Sequence, residues 1–528
     1  MSIPQTPSDY EAERPLLDGG AEPEYGATSE PGSTRPAERR SFARNLGTIE
    51  AFGIVISIVI GSGVFTSPGA IDTNVPSPGA ALIVWLVGGI LAWTGASTMA
   101  ELGTAIPGEG GVQPYLQYIF GDVFGFLAAW TWIVAVMPAT LAILSIVFVE
   151  SIFSAAGVTD QAGSIGHKIL SILVLVAVSV ANSISTKVST RLNGFFVTTK
   201  FIAIGAIVIA GIVVVILQLS GINRDARPRD WHTKPWFGFR DTVTPDGSLI
   251  DWSQLHGWEI LGHYSAALYG ALWAYSGWDK AIYVSAELSA PARQLPLAIN
   301  TAVPIIILCF IAANAAYYIL LPWNVVATTD SVAVTAITLL LGRGFGILAA
   351  IIICLVVAGS LLGNSFVAGR MVVAATNLNW LPRFLGFVGH IGIKSNESSN
   401  DTADDDDTST SRRSDAPINA IILSTGLPIL YILFGNFRAL LTFNGLGEYT
   451  FFFLTVLGAI VLRFREPGLH RPYKPFIVIP AIFALVSGFV VVRGAVFAPW
   501  QAIILIVVWL LGFGFYSVSR RWREPRDA

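Results

Sequence analysis

Charge is what this sequence has least of. Only 13% of its 528 residues are Asp, Glu, Lys or Arg, while 53% are hydrophobic. A soluble domain carries about 25% charged residues, so the composition excludes a soluble enzyme and requires a polytopic membrane protein. Cysteine is almost missing as well. Cys309 and Cys354 are the only two; both lie inside apolar runs, so there is no disulfide framework, and neither has metal-ligand spacing to a histidine. Of the six histidines, His232, His256 and His470 fall in loops or at the ends of apolar runs. No Ser/His/Asp arrangement, metal cluster or phosphate-cradling loop is visible, so no enzymatic activity, cofactor or metal is expected. The net charge of −3 comes with no basic patch interleaved with aromatics, which removes nucleic acid as a partner.

Residues 1–45 lack the apolar stretch of a signal peptide. They are rich in Pro, Gly, Ser and Glu and contain no lysine, the first being Lys168, and they read as a disordered cytosolic tail. Within them Glu13-Arg14-Pro15-Leu16-Leu17 is one residue short of an acidic dileucine sorting signal.

What is abundant is long apolar runs. They fall at 45–71, 79–105, 123–151, 168–185, 192–218, 263–290, 297–321, 346–377, 417–434, 440–462, 476–495 and 500–517. With roughly 20 residues needed per crossing, this is an all-α membrane protein of about twelve spans. The connection 378–416 holds Asp401 to Asp407 and many serines and reads as a disordered acidic loop. Basic residues set the orientation. Arg35, Arg39, Arg40 and Arg44 precede the first span, and Arg520, Arg521, Arg523 and Arg526 follow the last. Loops carrying Arg293, Arg383 with Lys394, and Arg463, Arg465, Arg471 and Lys474 fall on the same side, so both termini are placed in the cytosol. The connection 220–262 is awkward. It carries Arg224, Arg227, Arg229, Lys234 and Arg240 yet is placed outside, balanced by Asp225, Asp230, Asp241, Asp246 and Asp251.

Two runs carry the same peculiarity. The first has Gly61-Ser62-Gly63 at its centre, with Pro68 and Gly69 further on. The sixth, ALYGALWAYSGWDKAIYVSAEL, has Ser276-Gly277 at its centre and the ionisable Asp279 and Lys280 just after. Glycine interrupts a helix, but the backbone groups it frees cannot face lipid. The alternative for either cluster is a close-packing notch between helices. A notch explains one cluster; it does not predict two at corresponding places in two halves of five spans, with polar neighbours. Interrupted helices at matching positions point to an inverted-repeat transporter with its site at the breaks. The expected organisation is a tail (1–45), a first repeat (46–218), an outer loop (219–262), a second repeat (263–463, containing the acidic loop at 384–415), two further spans (464–519) and a short cytosolic tail (520–528).

Several motifs then carry a resemblance. Gly61-Ser62-Gly63-Val64-Phe65 resembles the GSGIF signature of the amino acid–polyamine–organocation superfamily. Met99-Ala100-Glu101-Leu102-Gly103-Thr104-Ala105-Ile106-Pro107, followed by Gly110-Gly111, is similar to the AELGTxIPxxGG signature of its L-type amino acid transporter family. Trp273-Ala274-Tyr275-Ser276-Gly277-Trp278-Asp279 resembles that family's FAYGGWN. Arg370 matches the arginine ending its eighth-span pattern, Trp380-Leu381-Pro382 resembles its HLP, and Leu462 to Pro475 resembles its basic loop after span ten. The resemblance covers about 45–520, and the acidic loop and long tail are similar to those of fungal methionine permeases.

The resemblance implies a five-plus-five fold with two extra spans and a free amino acid held between broken helices 1 and 6. Amide groups of Gly61, Ser62 and Gly63, at the positive end of a half-helix, suit the carboxylate. Carbonyls around Val59, Trp273, Ala274 and Ser276 suit the ammonium, with Tyr275 and Gly277 completing the break. Met137, Ser360 and Asn444 are candidates for the side-chain pocket. Trp273 matches the family's aromatic gate, its alternative being a core or interfacial tryptophan. Asp279 stands where the family has Asn. Lys200, in FFVTTKFIAIGAIVIAG, matches a lysine that in relatives takes the place of a sodium ion between spans one, five and eight. Its alternative is a snorkelling lysine, since it follows Arg191 by nine residues, about 14 Å of helix. Lys200 and Asp279 are the coupling candidates. Glu101 and Glu287 read as helix-end charges paired with loop Arg or Lys, and Glu109 as a solvated loop residue.

Animal L-type transporters are linked to a heavy chain through a cysteine after span three. Ser154 to Gly166 has none, so no disulfide-linked heavy chain is expected. Sequons at Asn396 and Asn400 fall in the cytosolic loop and are expected to stay unmodified. The expected function is import of neutral amino acids with large apolar side chains, methionine among them, coupled to protons, at the plasma membrane, with the vacuolar membrane as the other location. The alternatives are an obligate exchanger and a receptor that binds amino acid without transporting it.

Overall fold

A chain in lipid must satisfy its backbone N–H and C=O groups internally, which leaves helices as the form available to long apolar runs. The computed structural model of the protein describes residues 48, 52, 55–56, 59–106, 111–158, 163–184, 186–220, 230–244, 247–279, 290–386 and 418–523. The main helices are α1 (Gly63–Asp72), α2 (Pro78–Ala105), α3 (Val112–Phe120), α4 (Asp122–Ala156, with one π turn at Trp132–Val136), α5 (Ile165–Ile184), α6 (Thr186–Leu219) and α7 (Gly257–Ala274). They continue with α8 (Pro291–Leu320), α9 (Val332–Leu341), α10 (Arg343–Asn377), α11 (Ile418–Phe434), α12 (Phe437–Arg465), α13 (Val478–Phe497) and α14 (Pro499–Arg523). Among the described residues eight helices are long and apolar enough to cross a membrane. Leu308, Leu485, Trp500 and Leu510 are exposed along them, as lipid-facing positions must be. The protein is an all-α polytopic membrane protein.

Two elements replace what the sequence reads as loop. α3 and α9 are short helices, of 9 and 10 residues, in front of α4 and α10. The connection 220–262 departs from all-helical structure: β1 (Thr242–Val243) and β2 (Leu249–Ile250) pair antiparallel. The tail, most of the acidic loop, Glu109, Lys280, Glu287, Asn396 and Asn400 lie outside the described residues.

α3 and α9 are joined to their long helices in the same way. Gly121 (φ 96°, ψ 173°) and Gly342 (φ 89°, ψ 172°) take a left-handed conformation that other residues reach only with strain. Each is followed by a 35-residue helix. Four residues on, Gly125 and Gly346 sit against the short helix: a β-carbon there would stand 2.7 Å from Gln117 and 2.0 Å from Thr338 respectively. α4 bends at its π turn. Pro138 has no N–H for the Val134 carbonyl four residues back, and the Tyr431 hydroxyl donates to that carbonyl at 2.9 Å instead.

Two buried acids, Glu101 and Asp72, are paired with arginine. Glu101 on α2 accepts from Arg463 Nε at 2.9 Å and from a second nitrogen of the same guanidinium, with Arg471 Nε 3.3 Å away. The connection 220–262 is also tied by charge. Arg240 donates to the buried carboxylate of Asp72 and, at 2.8 Å, to the Trp323 carbonyl; the Tyr318 hydroxyl donates to the same carboxylate at 2.6 Å. Lys234 pairs with Asp230 at 3.0 Å.

Removing one partner from a buried pair leaves a stranded charge, at about 3–5 kcal/mol. Glu101→Gln strands two arginines at once and is expected to lower the thermal unfolding temperature of the detergent-purified protein clearly. An unchanged unfolding temperature would show that the pair carries no stability.

Candidate substrate site at two helix breaks

The first break spans Ile60–Ser62. The Gly61 N–H turns back to the Val59 carbonyl at 2.7 Å, and α1 restarts at Gly63 with Ser62 as its N-cap, whose side chain makes no capping bond. The Ser62 carbonyl accepts from the Phe65 N–H at 3.0 Å and from the Thr66 hydroxyl at 3.2 Å. Among the described residues, the N–H groups of Gly63 and Val64 have no acceptor. A helix start buried in the protein thus presents amide donors and the positive end of the helix dipole.

The second break follows α7. The Tyr275 N–H reaches the Ala271 carbonyl and the Ser276 N–H the Trp273 carbonyl, both at 3.0 Å. Gly277 follows at φ 107°, a conformation that suits glycine. Asp279, just beyond, is buried. The two breaks touch: a β-carbon on Gly63 would lie 2.4 Å from the Ala274 α-carbon. Gly63 is therefore a notch and a helix start at once, so the two explanations for the glycine cluster hold together. Gly61 differs. Its nearest neighbour would be the Ser360 hydroxyl of α10 at 3.7 Å, which places Ser360 beside the break.

The carbonyls of Val59 and Trp273, expected to be released, each accept a backbone N–H because the chain turns tightly at once. A carbonyl oxygen has a second lone pair, so these two retain one acceptor position. Tyr275 is turned away from α1: its ring packs between Trp85 of α2, 6.0 Å away, and Phe310 of α8, 4.9 Å away. Trp273 is half-buried against the core, and Met137 is buried directly after the π turn. Lys200 is only 5% exposed on α6, which packs against α8 and α10; it is not extended to a surface.

One residue escaped the reading of the sequence. Glu448 on α12 is 4% exposed. The Ser276 hydroxyl donates to its Oε1 and the Asn444 amide to its Oε2, both at 3.4 Å. Asn444 accepts in turn from the Thr140 hydroxyl of α4 at 3.3 Å. A polar chain therefore links α4, α12 and the second break. Its signal is present in the sequence as an acidic residue midway along the run 440–462. Amide donors on one side and carboxylates with backbone acceptors on the other match the two opposite charges of a zwitterion.

The contrast between two glycines tests this geometry. Gly63→Ala must push backbone apart, an overpacking cost of about 1–3 kcal/mol or more, and is expected to abolish uptake and lower the unfolding temperature. Gly61→Ala is expected to fold with an unchanged unfolding temperature. Equal unfolding temperatures for the two variants would refute the crossing.

The family model described as amino acid permease matches residues 46–514. The chain is 30% identical over 481 residues to the human b(0,+)-type amino acid transporter 1, covering 90% of this chain and 88% of that one. It is 27% identical to the human cystine/glutamate transporter, covering 96% and 91%. It is 27% identical to the mouse large neutral amino acids transporter small subunit 2, covering 91% and 82%. The helical membrane architecture, the paired breaks and the match along most of its length lead to one conclusion: the chain belongs to the amino acid permease family.

Proposed function

We propose that the protein is a secondary active transporter importing neutral L-amino acids with large apolar side chains, methionine among them, by alternating access coupled to protons. Membership of the amino acid permease family makes it an amino acid transporter and not an enzyme. The observation that carries the mechanistic reading is the contact of Gly63 with Ala274, which sets a helix N-terminus against an unwound turn inside the protein. Such paired breaks suit a site closed in turn from either side. The substrate carboxylate binds the Gly63 and Val64 amides and the Ser62 hydroxyl. Its ammonium faces the acceptors of the second break, and the side chain lies toward Met137, Ser360 and Asn444. A relative named for large neutral amino acids supports the substrate class.

The matched junctions at Gly121 and Gly342 support a duplicated unit, with spans one to five and six to ten as its two copies. Both termini are cytosolic and the plasma membrane is the site of action. One relative is named a small subunit. This chain has only Cys309 and Cys354, both within helices α8 and α10, so it works without a disulfide-linked second chain. Lys200 and Asp279, both buried, are the coupling candidates.

Uptake of radiolabelled methionine and leucine into proteoliposomes tests the reading. Accumulation in empty vesicles under an inward proton gradient is expected, weakened by Lys200→Ala and Asp279→Asn. Flux only with amino acid trapped inside would make the protein an exchanger and remove the proton role of Lys200. Binding without flux would make it a receptor.

A further inference from the structure

We infer that Phe237 and Phe239, in the connection 220–262, seat in the bilayer and wall a groove that holds an acyl chain of a membrane lipid. This surface is separate from the two breaks, and its role does not depend on how transport is coupled.

The segment that carries the two rings is fixed at both ends. The Trp236 carbonyl accepts from the Gly79 N–H at 2.8 Å, and the Arg240 N–H donates to the Pro76 carbonyl at 3.2 Å. Both flanking side chains turn into the protein. Trp236 packs on Trp323 and Tyr318, with ring centroids 5.7 and 6.2 Å away. Arg240 reaches the Asp72 carboxylate and the Trp323 carbonyl. Alternate residues of an extended chain face opposite ways. With Trp236 and Arg240 turned inward, Phe237 and Phe239 are left 65% and 72% exposed. Burying a phenylalanine ring is strongly favourable. A segment tied down on both sides that still holds two such rings outside the core presents them to something other than water.

Their position shows what covers them. The Phe237 ring lies over the first turn of α2, where a β-carbon on Gly79 would come within 2.5 Å of it. One turn further, Ile83 opens an exposed stripe of Ile83, Leu86, Val87 and Ile90, whose spacing places all four on one helix face. α2 is long and apolar enough to cross the membrane, so this stripe is its lipid-facing side. Its 28 residues measure about 42 Å, against roughly 30 Å of hydrocarbon, so its first turn reaches the boundary with the headgroups. Phe237 and Phe239 continue the lipid-facing stripe to that boundary.

Between the rings and the helix lies a groove of about 260 Å³, lined by Pro76, Ala80, Ile83, Phe237, Phe239 and Tyr264 of α7. Among the described residues, no charged side chain lines it. The Ser77 hydroxyl, also in the lining, accepts from the Ala80 N–H at 3.2 Å. Ile83 belongs to both the stripe and the lining, so the groove is continuous with the lipid face. An uncharged, largely apolar lining matches a hydrocarbon chain and not a headgroup or an amino acid.

The test uses the full chain in vesicles of phosphatidylcholine and phosphatidylglycerol. The photoreactive amino acid benzoylphenylalanine replaces Phe239, Tyr264 or, as a control on the same connection, the exposed Ser253. Irradiation is expected to add the mass of one phospholipid to the chains labelled at 239 and 264, and none to the chain labelled at 253. With the label at 264, the double substitution Phe237→Ser and Phe239→Ser is expected to lower the lipid adduct several-fold, because the groove loses a wall. An undiminished adduct overturns the groove. Crosslinked dimers from the label at 239 would assign the surface to a second copy of the chain and overturn the lipid. No lipid adduct at 239, or as much at 253 as at 239, overturns it as well. If the chain labelled at 239 does not fold, the label at 237 decides in the same way.

Discussion

A backbone inside a bilayer has no water to bond to, and this constraint governs the whole arrangement. It permits helices nearly everywhere and allows interruption only where protein surrounds the freed groups. The two interruptions of this chain are therefore found against each other. Gly63 and Ala274 approach so closely that no side chain fits between them. Each break shields the other from lipid, and among the described residues the Gly63 and Val64 amides are left over at the crossing.

The same economy of charge appears at the buried acids, which differ in their partners. Glu101 is clamped by two guanidinium groups and holds α2 to the segment after α12. Asp72 is held by Arg240 and Tyr318 and ties the end of α1 to the connection 220–262 and to α8. Glu448 accepts from a serine hydroxyl and an asparagine amide and so joins α12 to the second break. An acid locked by arginine is a fastening.

The matched short helices add a structural reason for the pairing of the breaks. Gly121 and Gly342 share one backbone conformation, lead into helices of equal length and are followed by the same small-residue contact four positions later. The glycine clusters of the first and sixth runs form a second pair of corresponding features.

The membrane class, the approximate extents of the spans and the presence of both breaks were legible in the sequence, because apolar length and glycine interruption are local properties. Gly61-Ser62-Gly63 and Ser276-Gly277 stood out for that reason. Other features depended on which helices meet. α3 and α9 are too short to read as spans. Tyr275 turned out to pack between α2 and α8, and the Val59 and Trp273 carbonyls to be taken up by local turns. Arg240, one of several charges in a mixed loop, was identified as the partner of Asp72 only when distant segments came together. Glu448 was visible as a residue but not as a member of the site, since Ser276 lies 172 residues away in the chain. The sequence by itself determined that the chain crosses the membrane many times and where glycine clusters interrupt its apolar runs, because both are local properties. Only the tertiary structure decided what those breaks face, because side-chain partners are set by helix packing and not by distance along the chain.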